Sequence, residues 1–182
     1  IETIADNIVD KIKMLKSGDL LTIYAKEFSA ECLKLVTGLT NMTADEMDRV
    51  SQGMIDGCSN YTGDKNIEKY CNNCTESIDA HINEIVRTKN RDSDLSMIST
   101  MLEGNLSADQ ISANIKLAIS GGQNEPRDAI AGCIWAALNF RLKKRLIEKG
   151  NWDQLFNEYC RWMSPIGMSP REIAKDFLYK NV

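Results

Sequence analysis

Residues Ser107 to Phe140 read SADQISANIKLAISGGQNEPRDAIAGCIWAALNF, and any fold for this chain has to be built around them. Ser107 and Gln110 have the S-x-x-Q spacing of a capping box, which satisfies orphan N–H groups at a helix start. Apolar or small residues recur at Ile111, Ile115, Ala118, Gly122, Ala129 and Gly132, at helical spacing, so they are expected to share one face. A single helix of this length would span roughly 50 Å, enough to cross the middle of a domain. It is apolar on most sides, as a buried helix should be.

The centre of that stretch breaks helix rules. Gly121 and Gly122 each cost about 1 kcal/mol relative to alanine. Pro126 has no N–H, so the carbonyl of Gly122 loses its helical donor. A kink with a free carbonyl is expected there, next to a spot without side chains. Asn124 and Glu125 occupy the same turn. Polar groups at the weakened midpoint of a buried helix suggest a site; an ordinary Gly/Pro kink or a plain loop is the alternative.

Helical patterning continues on both sides. Helices are expected over about 2–16, 21–36, 43–58, 65–89, 94–102, 141–149 and 152–162. Gly38 suits a helix C-terminus, and Thr43-Ala-Asp-Glu46 is a capping box. No convincing strand precedes residue 165, which predicts an all-α body, a single partial domain over 1–182.

Composition narrows the function classes. A net charge of −4 in 182 residues gives no electrostatic footprint for nucleic acid. No apolar run is long enough to span a membrane. The amphipathic, acid-bearing start does not read as a signal peptide, so a cytoplasmic location is expected and the N-x-[ST] sequons at Asn41, Asn60, Asn73 and Asn105 carry little weight. The six cysteines sit in helical patterns, which suits reduced thiols. Cys71, Cys74 and His81 fall near one helical face, but a structural zinc site wants a fourth ligand at similar spacing. Buried cysteines in a plain helix are the expected reading.

Glu158 and Arg161 are three apart and can meet on one helix face. Taken alone, such a pair is an ordinary surface ion pair. The wider order is more specific. A long helix broken by a Gly pair is followed, about thirty-five positions on, by E-x-x-R and then by Ser164-Pro165-Ile166-Gly167-Met168-Ser169-Pro170-Arg171. This combination resembles the cytochrome P450 family of haem-thiolate monooxygenases, of the bacterial type without a membrane anchor. The resemblance covers nearly the whole chain, as an internal stretch from that family's D helix to its K helix. It implies a P450-like helical bundle around a long kinked central helix, with a short extended segment at the C-terminus.

The resemblance also implies roles. Ser107–Phe140 would lie over the distal face of haem b, with Gly121 and Gly122 against the cofactor. Glu158 and Arg161 would form the structural E-x-x-R pair, and Arg171 would meet a haem propionate. Ala118, Ile119, Ile166 and Met168 would contact a small organic substrate. The partners would be O₂ and a ferredoxin-type electron donor. The cysteine loop F-x-x-G-x-x-x-C-x-G that ligates the iron is absent, so the axial cysteine is expected outside this chain, which alone should be inactive. The usual acid–alcohol pair of the family is replaced by Asn124 and Glu125. An amide cannot transfer protons as a carboxyl does, so Glu125 is expected to take over proton delivery, through water held by the free Gly122 carbonyl. Ser169-Pro170-Arg171-Glu172 reads locally as a helix start; the resemblance favours extended structure there. A non-catalytic helical binding module, or a fragment unable to bind haem alone, is the competing reading.

Overall fold

The computed structural model describes residues 1–88, 94–168, 173–176 and 178. Among these, the regular elements are helical and there is no strand, so the fold class is all-α. Helix α1 (Glu2–Lys13) is amphipathic and buries Ile8. A π turn, Leu21–Ala25, follows and runs without interruption into α2 (Lys26–Thr37). Asp19 fixes the entry to this turn by accepting from the Leu21 N–H at 3.2 Å and the Thr22 hydroxyl at 2.8 Å. Gly38 ends α2 at φ 89°, a left-handed conformation that glycine adopts without a side-chain penalty.

Helix α3 (Ala44–Cys58) starts at Thr43, whose hydroxyl accepts from the Glu46 N–H at 3.1 Å. Helix α4 (Lys65–Thr88) packs back along it. Gly53 and Gly57, one turn apart on α3, face the Cys74 and Cys71 side chains of α4. A Cβ on either glycine would collide with those sulfurs, so the absence of side chains is what lets the two helices approach. Cys71 and Cys74 are thus knobs in a helix interface. Among the described residues no group of three His, Cys, Asp or Glu side chains is placed to hold a metal.

Helix α5 (Met97–Glu103) is capped by Ser96, and α6 (Ala108–Gly122) opens with the full capping box of Ser107 and Gln110. After a break at Gln123 come α7 (Asn124–Asn139), α8 (Lys143–Lys149) and α9 (Trp152–Trp162). The expected single helix over Ser107–Phe140 is therefore two helices, because a proline and two glycines in six residues cannot sustain the hydrogen-bond ladder. Residues 163–168 are irregular, and the described residues after Pro165 form no strand to match the expected extended segment. The helix start at Ser169–Glu172, with Arg171, falls outside the described residues.

A continuous buried cluster joins α2 to α6: Leu33, Leu39, Met47, Val50, Ile78, Ile98, Ile115 and Ile119 are among its members. Each such side chain contributes about 1.5–3 kcal/mol on burial. Among the described residues no helix is long and apolar enough to cross a membrane.

Candidate functional site at the helix break

Pro126 removes the N–H that would have bonded the Gly122 carbonyl. The vacancy is covered from α2. The Ser29 hydroxyl donates to the Gln123 carbonyl at 2.7 Å and approaches the Gly122 carbonyl at 3.4 Å. The Gly122 carbonyl, expected to be free, thus has the Ser29 hydroxyl beside it at 3.4 Å. Ser29 can do this because it lies on the buried side of α2, one turn before Leu33.

The two glycines face different surroundings. A Cβ on Gly122 would stand 2.8 Å from Leu33 Cδ1, so this glycine serves the packing of α6 on α2. Gly121 is exposed, and a Cβ there would meet no atom within 4 Å. Open space at the break therefore lies on the Gly121 side.

Three polar side chains follow. Gln123 is fully buried; its Nε2 donates to Asp48 Oδ1 at 3.1 Å and reaches the Lys26 carbonyl at 3.4 Å. Asn124 is buried, and its Nδ2 donates to Gln52 Oε1 at 3.4 Å. Glu125 is half-buried. Among the described residues Gln123 Oε1, Asn124 Oδ1 and Glu125 Oε2 are buried acceptors without a partner. Buried oxygens of this kind call for a donor such as ordered water.

One turn further, Arg127 donates to Asp48 Oδ1 at 3.1 Å and to Asp128 Oδ1 at 2.8 Å. Burial works against its charge, but the Asp128 and Asp48 carboxylates outweigh it and hold the guanidinium above its ordinary pKa. Helix α3 thus meets the break with one set of side chains: Asp48, Gln52 and also Ser51, whose hydroxyl donates to the Ile119 carbonyl at 3.2 Å. None of these was singled out from sequence. The available signal was Ser51, a polar residue on the same helical face as Met47, Val50 and Met54.

The remaining expected residues fall in several places. Ile119, expected to contact substrate, is fully buried in the core cluster. Ala118 is half-buried, while Ile166 and Met168 are exposed. Arg161 meets Glu158 through Nε at 2.7 Å and Nη2 at 2.6 Å, a two-pronged pair on the surface of α9. The pair holds the Glu158 carboxyl below its ordinary pKa through that hydrogen bond. Helix α9 packs on α7 by seating Tyr159 over Gly132, about two turns beyond Glu125. Trp135, Phe140 and Trp162 then cluster, with ring centroids 6.0–6.3 Å apart, beside a groove of about 380 Å³ lined by Leu142, Leu155 and Tyr159.

No family model matches this chain.

Proposed function

We propose that this chain is the central helical part of a cytoplasmic haem-thiolate monooxygenase of the cytochrome P450 type. The observation that carries the reading is the asymmetry of the helix break. Gly121 stands clear of every side chain, and on the next turn Glu125 holds a buried, unpartnered carboxylate oxygen. A flat cofactor needs a backbone it can approach closely, and an exposed glycine gives that. The open Gly121 side fits haem b; the Gly122 side, filled by Leu33, does not. Arg171 would hold a propionate by a charge-assisted pair.

When bound, haem with a cysteine thiolate from outside this chain supplies the O₂ chemistry that inserts one oxygen atom into a small organic substrate, with electrons from a ferredoxin-type donor. The residues of this chain do the rest. Glu125 holds and passes a proton at Oε2. Asn124, fixed by Gln52, donates and accepts hydrogen bonds without transferring protons. Ala118, Ile166 and Met168 shape the substrate side. Glu158 and Arg161 pair on the exposed face of α9, whose Tyr159 packs onto α7.

The complete protein containing this chain should take up haem and, when reduced under carbon monoxide, give the Soret band of a thiolate-ligated ferrous complex. Failure to bind haem, or a band typical of histidine ligation, would sink the reading. In the loaded protein Glu125→Gln should lower the yield of product per NAD(P)H consumed; an unchanged yield removes Glu125 from proton delivery. One observation favours a second reading, a helical binding module: the exposed aromatic cluster of Trp135, Phe140 and Trp162 beside its groove.

A further inference from the structure

Three residues on one face of α3 grip the break from outside. Asp48 holds Gln123 and Arg127, Ser51 holds the Ile119 carbonyl, and Gln52 holds Asn124. Positions 48, 51 and 52 are one helical turn, so they move together with α3. Their targets run from the last full turn of α6 to the first turn of α7. Within this span Pro126 and the glycines have weakened the helix's own ladder. Where a helix cannot fix its own geometry, side chains from a neighbour decide it.

We infer that Asp48 is the positioning residue of the helix break, setting the angle of α7 on α6, and that α3 thereby transmits its own position to Asn124 and Glu125. Asp48 is the centre of the grip because its Oδ1 serves two donors at once, Gln123 at the break and Arg127 in the first turn of α7. The Asp48–Arg127 pair is well shielded, with side chains 24% and 17% exposed, so solvent weakens it less than it weakens a surface pair. The π turn and α2 also pack against α7, with Ala129 buried there, but that packing is non-directional, whereas the Asp48 bonds fix specific polar groups of the break. The role of this geometry in proton delivery rests on the function proposed above; the positioning itself does not.

Amide hydrogen exchange tests the inference without any cofactor, in the complete protein containing this chain. Asp48→Asn keeps the shape and an acceptor for Gln123 but loses the charge facing Arg127. It should speed exchange of amides 123–125, 127 and 128 by about tenfold, with α5 amides unchanged. Asp45→Asn, which removes the exposed partner of Lys26 on the same helix, should leave the break unchanged. The reciprocal exchange Asp48→Arg with Arg127→Asp restores an ion pair, and Gln123 can turn its amide to offer Oε1, now without a partner. It should return exchange to within about threefold of the native protein, whereas each half alone should not. Equal acceleration throughout the protein, no acceleration at the break, or no recovery in the reciprocal exchange would each overturn the inference. Failure to bind haem would overturn the proposed function and leave this result standing.

Discussion

The hydroxyl of Ser29 on α2 donates to the carbonyl of Gln123, 2.7 Å away, and lies 3.4 Å from the Gly122 carbonyl, the one whose helical donor Pro126 removes. Two helices far apart in sequence are joined one residue from the carbonyl that lacks its helical donor. Ser29 is itself buried, so the bond is made away from water.

Removing that hydroxyl leaves the Gln123 carbonyl with only the long 3.4 Å bond from the Arg127 N–H. Ser29→Ala should therefore cost about 0.5–1.5 kcal/mol, the net contribution of one hydrogen bond. Urea unfolding monitored by far-UV circular dichroism measures it. A midpoint equal to that of the native protein would show that water replaces the hydroxyl.

Ile119 is enclosed by the core and has no exposed surface. Ile119→Ala should destabilise the protein by about 2–5 kcal/mol through lost burial and the cavity left behind. Ala118, its half-buried neighbour, should tolerate Ala118→Ser with a much smaller change. The comparison separates a core position from a pocket position by unfolding alone.

The α3–α4 interface has no room for a methyl group. Gly53→Ala gains helix propensity of about 1 kcal/mol, but it drives Cβ into Cys74. The net effect should be a loss of about 1–3 kcal/mol, as overpacking usually gives. Cys74→Ala in the same chain removes the obstructing sulfur, so the double variant should be more stable than the sum of the two single changes. A coupling indistinguishable from zero in the double-mutant cycle would contradict the packing described here.

Glu46 ties α3 to α4, since its Oε1 lies 3.0 Å from His81 Nε2 and accepts from the Ser77 hydroxyl at 3.1 Å. Burial works against the Glu46 carboxylate, but the hydrogen bonds from His81 and Ser77 outweigh it, and the carboxyl is held below its ordinary value of 4.5. A carboxyl with a lowered folded-state pKa stabilises the protein above its unfolded pKa. That stability is lost as pH falls through the folded value. The thermal midpoint should therefore drop as pH falls below 4.5, and Glu46→Gln should flatten this part of the profile. Scanning calorimetry across that range checks both expectations.

Much of the scaffold was legible in the residues because its signals are local. The Ser107–Gln110 box, the Thr43 cap and Gly38 each act within one turn of themselves, and each marks a helix end in the structure. The break was legible for the same reason: two glycines and a proline disrupt a helix wherever it packs. What escaped is set by neighbours. Ala118 and Ile119 point about 100° apart around α6, and only the position of α2 and α3 decides which one is enclosed. Ser29, Asp48 and Gln52 carry no mark of their partners, which lie more than 70 positions away. The π turn at Leu21–Ala25 leaves no trace in the periodicity, because one wider turn shifts the pattern by a single residue.

The continuous core stops at Ile119, and α7 to α9 add no member to it. Helix α7 rests on the π turn and on α2 and takes the Asp48 contacts, and α9 adheres to α7 through Tyr159 on Gly132 and the stacked tryptophans. Under gentle protease treatment the chain should be trimmed from its carboxyl-terminal side first, leaving a resistant body that ends near the two glycines. Whatever chemistry the break serves, it sits on the border between the part of this molecule that holds its shape unaided and the part that borrows it.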